Sequence, residues 1–321
     1  MPKCPKCGKK FDSLQALSDH FRAVHPNQRF VAPKTSSYRN FTVILVIVII
    51  VIGGLVGYLI YSQSTSSSST TQSNSILLTP ISFALYQNLT AVSDNTLTQV
   101  GLPSTVSPPT SVSGSPLMLN NKPEILYIGA EFCPLCAANR WSLIVALSKF
   151  GNFSGLQYML SAVDDGNYST MSFRSMSYVS QYISFVSVEN EDRDHNVFQL
   201  PNQTEQNLWN TYNPNAYPFI DIGGSYVVKS EMYDSATLKG LSWTQIGSQL
   251  NNPSSSLAKL IDGAANSIIS DVCKIDGGNP SSVCGQSFAN LSLTLRQPAT
   301  DSAYLVVLTQ DSLPSLGKRP F

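Results

Sequence analysis

Two stretches of this 321-residue chain spell Cys-Pro-x-Cys, CPKC at residues 4–7 and CPLC at residues 133–136, and their neighbours assign them different chemistry. Beyond Cys4 and Cys7 come twelve residues, then His20 and His25 with four residues between them. Two thiolates on a tight knuckle and two imidazoles on one helical face are the four ligands that tetrahedral zinc takes. Cys133 instead stands where an apolar run, EILYIGA, gives way to helical spacing, with Leu143, Ile144, Leu147 and Phe150 on one side and Gly151 expected as the C-cap. A thiol at a helix N-terminus faces unpaired backbone N–H groups and the positive end of the helix dipole, and both favour the thiolate. Cys136, one turn in, is placed to attack a mixed disulfide. An inert disulfide and a metal site are the bland alternatives for this pair.

The elements that must position the dithiol are legible around it. LQYMLSAV, residues 156–163, reads as a second buried strand, which gives a β-α-β order. QTEQNLWNTYN, residues 203–213, is a helix candidate, and in NAYPFIDIGGSYVV the Tyr217-Pro218 pair opens a strand, Gly223-Gly224 turns, and Ser225 to Val228 returns. A cis Pro218 would mark a functional position, because cis bonds are rare. Cys273 and Cys284 bracket a Gly/Pro/Asn loop after a helix expected over 254–271. A structural disulfide is the expectation there in an oxidising compartment, and a second dithiol that relays electrons is the alternative. His195, in the acidic run ENEDRDH, reads as part of a solvated loop, and Trp141 reads as core. A helix is expected within 81–100.

The first cluster closely resembles a two-Cys two-His zinc finger, with Phe11 and Leu17 at the places where such fingers keep a miniature core. The positions that read bases in such fingers would hold Ser13, Ala16 and Asp19, so DNA is not the expected partner. Residues 124–250 resemble the thioredoxin-like superfamily through AEFCPLC and the X-Pro hairpin. More closely, ILYIGAEFCPLCAANRWSLIVALSKFGNF with YPFIDIGG resembles an uncharacterised family of archaeal membrane-anchored thioredoxin-like proteins, classed as a domain of unknown function. The resemblance implies a redox-active Cys133–Cys136 pair with a cis Pro218 lying against it. Tyr127 stands where thioredoxins keep a buried Asp, which departs from the pattern, and the insertion over 164–200 is large.

Composition frames the whole. Only 12 % of residues are charged, and the net charge of zero hides an asymmetry: residues 1–40 carry eight Lys/Arg against two acids, residues 62–321 twelve against eighteen. Between them FTVILVIVIIVIGGLVGYLIY, residues 41–61, carries no charge and reads as a bilayer-spanning helix, with the basic flank on the cytoplasmic side. The expected organisation is a small ββα zinc finger over 1–28, a basic linker over 29–40, one transmembrane helix over 41–61, a Ser/Thr-rich spacer over 62–75 and an extension over 76–123. An α/β thioredoxin-like domain outside the membrane follows over 124–290, then a C-terminal segment over 291–321. The expected activity is thiol–disulfide exchange on exported protein thiols or disulfides, with Cys133 attacking, Cys136 resolving and Pro218 presenting backbone. Zinc on Cys4, Cys7, His20 and His25 is the expected cofactor, with none for the outer domain. The finger would serve as an interaction module for a cytoplasmic protein or anionic lipid. A non-enzymatic membrane receptor or assembly protein that uses the same fold as a scaffold is the alternative.

Overall fold

The computed structural model describes residues 1–25 and 74–285 of the chain. Near the start, Ser13 caps α1 (Leu14–Val24), its side chain accepting from Ala16 N at 3.1 Å. Two short helices then stand where one was expected: α2 (Phe83–Thr90), capped by Ser82, and α3 (Asp94–Val100), capped by Ser93. Ser93 accepts from Thr96 N, and that bond starts a new helix instead of continuing the old one. Edge strands β1 (Thr110–Ser111) and β2 (Met118–Leu119) lead into β3 (Lys122–Gly129), whose last six residues are all buried.

The helix α4 (Pro134–Leu147) follows β3 after a four-residue turn. It starts at Cys133 because Pro134 fits the first helical position, where its missing N–H costs nothing. It ends at Ser148, and Gly151, expected as its cap, instead opens β4 (Gly151–Ser154). Next come β5 (Gln157–Leu160), β6 (Ser169–Ser172), β7 (Ser177–Ser180) and β8 (Ser184–Glu189). The second strand expected over 156–163 is present as β5, but the β-α-β order expected of it is corrected. β5 pairs antiparallel with β6, and the parallel partner of β3 is β8, in register from Glu124 opposite Ser184 to Gly129 opposite Glu189. The segment read as an insertion therefore supplies the parallel strand beside β3.

The chain continues through α5 (Gln203–Tyr212), β9 (Phe219–Ile222), β10 (Tyr226–Val228), α6 (Trp243–Gly247), α7 (Ser256–Ile275) and α8 (Ser281–Cys284). The sheet runs β1-β10-β9-β3, with β8 along the far side of β3. β9 is antiparallel to both β3 and β10, and the β9–β10 turn uses Gly223 and Gly224 at φ 64° and 73°, which favours glycine. Alternation along β3 separates two cores. Ile125 and Tyr127 face the helices α4 and α7, while Leu126 and Ile128 join Val188, Phe219, Val227 and Trp209 of α5 on the other face.

Two parts of the expected architecture are corrected. Among the described residues no helix is long and apolar enough to cross a membrane. The longest, α7, has 20 residues but carries Lys259, Asp262, Asp271 and Lys274 and packs within the domain. The segment expected to span, 41–61, lies outside the described residues, as do 29–40, nearly all of 62–75, and 291–321. The single-pass membrane protein with a cytoplasmic and an external side is therefore not supported, and the fold stands as mixed α/β. The two strands expected in residues 1–28 reduce to one bridge, Lys3 to Lys10, because the knuckle closes on itself through Cys4 N to Lys9 O at 2.8 Å.

Candidate dithiol site

The dithiol forms where β3 ends. Cys133 is the N-cap of α4 and its sulfur accepts from Cys136 N at 3.2 Å. Cys133 is 4 % exposed and Cys136 is wholly buried; both are free thiols. Ala130, Phe132, Leu135 and Tyr217 pack around them. Tyr217 precedes Pro218 through a cis peptide bond, so the X-Pro turn and the Cys-x-x-Cys turn meet in one cluster. The Tyr217 hydroxyl donates to Asn190 and to Glu191 Oε1, which ties the turn to the loop after β8.

The two sulfurs are driven apart in acidity. Burial opposes a thiolate at Cys133, but the hydrogen bonds from the Cys136 side chain and backbone outweigh it, with the charge of Arg140 and the Leu135 N–H assisting, and the thiol sits below its ordinary value. Cys136 has no such compensation. Burial first, then the hydrogen bond and charge of Cys133, push it well above its ordinary value, against the opposing pull of Arg140 and the Ala130 backbone. One sulfur is thus favoured as thiolate at 4 % exposure; the other is wholly buried and held as thiol.

Behind the pair lie buried charges that sequence reading passed over. Arg140 and Glu189, both 0 % exposed, form a two-point ion pair at 3.1 and 2.7 Å. Glu131, also buried, is clamped by Ser172 at 2.6 Å and by Arg174 through two nitrogens, the Nε bond being 2.8 Å. Burial and then the nearby charge of Glu189 still raise the Glu131 carboxyl above its ordinary value. Helical spacing could have flagged Arg140, which falls one turn after Cys136 and among the apolar positions of α4. His195, read as solvated, is exposed but lies at φ 59° with its ring 3.9 Å from that of Phe132, at the mouth of the site. Its ring nitrogen and the carboxylates of Asp164 and Asp165 lie within 4.8 Å of one another. Trp141 is wholly buried, and its indole donates to Ser169 O at 2.9 Å.

A profile described as Domain of unknown function (DUF929) matches residues 108–274. The chain belongs to that family. The DUF929 region begins just before β1 and ends inside α7, so it contains Cys133, Cys136, Arg140, Glu189 and Pro218. No curated protein and no solved structure matches the chain.

Two further cysteine sites lie beyond the DUF929 region or at its edge. Cys273 and Cys284 are joined as a disulfide with Cα atoms 5.5 Å apart, closing the turn between α7 and α8. Ahead of the region, Cys4, Cys7, His20 and His25 place one ligand atom each within a 4.8 Å set. Cys4 Sγ lies 3.8 Å from His25 Nε2, and Cys7 Sγ 3.2 Å from His20 Nε2. Donors about 3.5 Å apart are what a tetrahedral ion with bonds near ~2.2 Å requires, so the four residues fit a metal ion. Leu17 and Phe21 of α1 are buried beneath them.

Proposed function

We propose that the DUF929 region is a thioredoxin-like thiol–disulfide exchange domain, acting on protein thiols and disulfides. The observation that carries the reading is the Cys133 sulfur at the N-terminus of α4, accepting the Cys136 N–H while its neighbour stays buried. The order β3, α4, β8 parallel to β3, α5, cis Pro218 and the β9–β10 hairpin supports it, being the order of that superfamily. The Cys133 thiolate attacks one sulfur of a substrate disulfide, forming a mixed disulfide and releasing the other sulfur as thiolate. Cys136, losing its proton, attacks the Cys133 sulfur and expels the second substrate thiolate. Two electrons pass from the dithiol to the substrate, the protons end on the two substrate thiols, and Cys133–Cys136 is left as the disulfide. The same steps reversed oxidise a substrate dithiol.

The test is to equilibrate the full chain in glutathione buffers and to challenge the Cys136→Ala chain with a disulfide-bonded protein. A reversible Cys133–Cys136 couple with a potential above about −300 mV, and a trapped mixed disulfide through Cys133, are expected. A pair that stays oxidised below that potential and a chain that never traps a substrate would reject exchange and leave a binding scaffold.

The four amino-terminal ligands are proposed to hold zinc, making residues 1–25 an interaction module for a protein partner. Thiolate with imidazole is the set that zinc favours, and metal binding supplies most of the folding energy of so small a unit. Stoichiometric zinc in the parent chain, its loss in Cys4→Ser, and a tetrahedral absorption spectrum on cobalt substitution are expected. Equal zinc content in parent and variant would exclude this site.

A further inference from the structure

A buried cation lies behind the dithiol, and the ion pair it makes does not use all of it. Arg140 stands four residues after Cys136 on α4, so the two side chains are neighbours on one helix face. Long side chains on a helix lean toward its N-terminus, and here the lean is fixed. Arg140 Nη2 donates to Ala130 O at 2.8 Å, and Ala130 packs against Cys133 and Cys136. The guanidinium is thereby tied to the residue that packs against both sulfurs, without a hydrogen bond to either. Glu189 takes Nε and Nη2, while Nη1 is buried with no hydrogen-bond partner. Burying an ion pair costs several kcal/mol per ion before the attraction repays it, so a buried guanidinium with a free donor is poor economy as a structural device.

The resolving step needs such a group. Cys136 must ionise to attack, and an anion in an apolar site without compensation is strongly disfavoured. The neighbouring candidates for assistance are committed elsewhere. Tyr127 is buried, its hydroxyl is unpartnered, and burial holds its pKa well above the ordinary value, so it keeps its proton and cannot serve as a base. The Glu189 carboxylate holds Arg140 and also accepts from Phe173 N at 3.1 Å, and Glu131 is held by Arg174 and Ser172. Arg140 remains, with the Tyr127 ring 5.7 Å from its Cζ on one side. The Cys133 thiolate keeps its helix N–H bonds whatever happens at Arg140, whereas the influences that favour charge on Cys136 are Arg140 and one backbone bond.

We propose that Arg140 is the positioning residue of the resolving step: its clamped guanidinium supplies the positive charge against which the Cys136 sulfur ionises, and Glu189 fixes and moderates that charge. The inference rests on the exchange reading given above. In the balanced sequence already written, it concerns the second attack, in which Cys136 loses a proton, bonds to the Cys133 sulfur and breaks the mixed disulfide.

The experiment uses the full chain and two variants of opposite expected sign. Arg140→Met with Glu189→Gln removes the cation without stranding a buried carboxylate; Glu189→Gln alone leaves the cation unmoderated. In the double variant the mixed disulfide with a disulfide-bonded protein is expected to persist more than ~10-fold longer, and the pH titration of the Cys136 Cβ chemical shift to move upward. Alkylation of Cys133 changes less, because its N–H bonds remain. In Glu189→Gln the titration moves downward and the mixed disulfide shortens in life, which a purely structural ion pair does not produce. Shifts in the same direction in both variants, or parent behaviour in the folded double variant, overturn the proposal. If the double variant does not fold, the sign in Glu189→Gln decides. If the Cys136→Ala chain traps no substrate, the exchange reading fails by itself, and the Cys136 titration in the reduced chains still decides the role of Arg140.

Discussion

Replacing Asp262 by Asn is expected to raise the free energy of unfolding at about pH 8 by roughly 5 kcal/mol, and to leave it nearly unchanged near pH 4. Asp262 lies on α7 with no exposure, and neither carboxylate oxygen has a partner. Burial raises it to about 8, only partly offset by the charge of Lys149. Of the groups around it, Lys149 is spent on Val92 O and Asp94, Tyr233 donates to Ala138 O, and Ser142 donates to Ile261 O. In the unfolded chain the carboxyl ionises near ~4. A raised folded value means that the native state holds the proton longer, so the stability is fully present below ~4, falls as pH rises, and levels off above about 8. Asn keeps the shape and the unpaired polar burden but removes the titration. Burial also raises Asp221, to about 6, and Asp276 and Glu131 in the same direction, so the parent slope has several contributors. The difference between parent and variant isolates Asp262. Parallel stability curves from denaturant unfolding across this range would show that the carboxyl is not held neutral.

The parts of the fold that were legible are those written locally. A Cys-Pro pair after an apolar run marks both a strand end and a helix start, and Tyr217-Pro218 before FIDIGG marks a hairpin, so β3, α4, β9 and β10 fall close to where their residues indicate. β8 was missed because SFVSVE alternates serine with apolar residues. A buried parallel strand usually reads as a continuous apolar run, and LQYMLSAV offered a better imitation of one. What decides between them is pairing: β5 finds β6 nine residues after its own end, and only tertiary structure shows it. The charges behind the dithiol were hidden for the same reason. Arg140 and Glu189 are 49 residues apart, Glu131 and Arg174 43, and each looks like an ordinary surface charge until the sheet brings the pairs together. The residue noticed in advance, Tyr127, was noticed as the absence of a carboxylate; the positive charge beside it was not foreseen.

Iodoacetamide at neutral pH is expected to modify Cys133 faster than Cys136 by on the order of a hundredfold in the reduced chain. Thiolate is the reactive species, and the two sulfurs differ in both its supply and its exposure. At Cys133 the helix N–H bonds overcome burial, so the thiolate fraction rises with pH and saturates at a lower pH than that of an ordinary cysteine. At Cys136 burial and the facing sulfur act together, so its thiolate is scarce at neutral pH and shielded from reagent. The rate at Cys133 should accordingly climb with pH and reach a plateau early, while that at Cys136 is still climbing when the plateau is reached. Peptide mass spectrometry after timed quenching reads both sites in one sample and separates them from Cys4 and Cys7. Removing the Cys133 sulfur as Cys133→Ser takes away one of the two influences that raise Cys136, so its rate should increase although the residue stays buried. Equal rates at the two cysteines, or a faster Cys136, would mean that the N-capping sulfur is not the attacking one, and the order of steps in the exchange would have to be reversed.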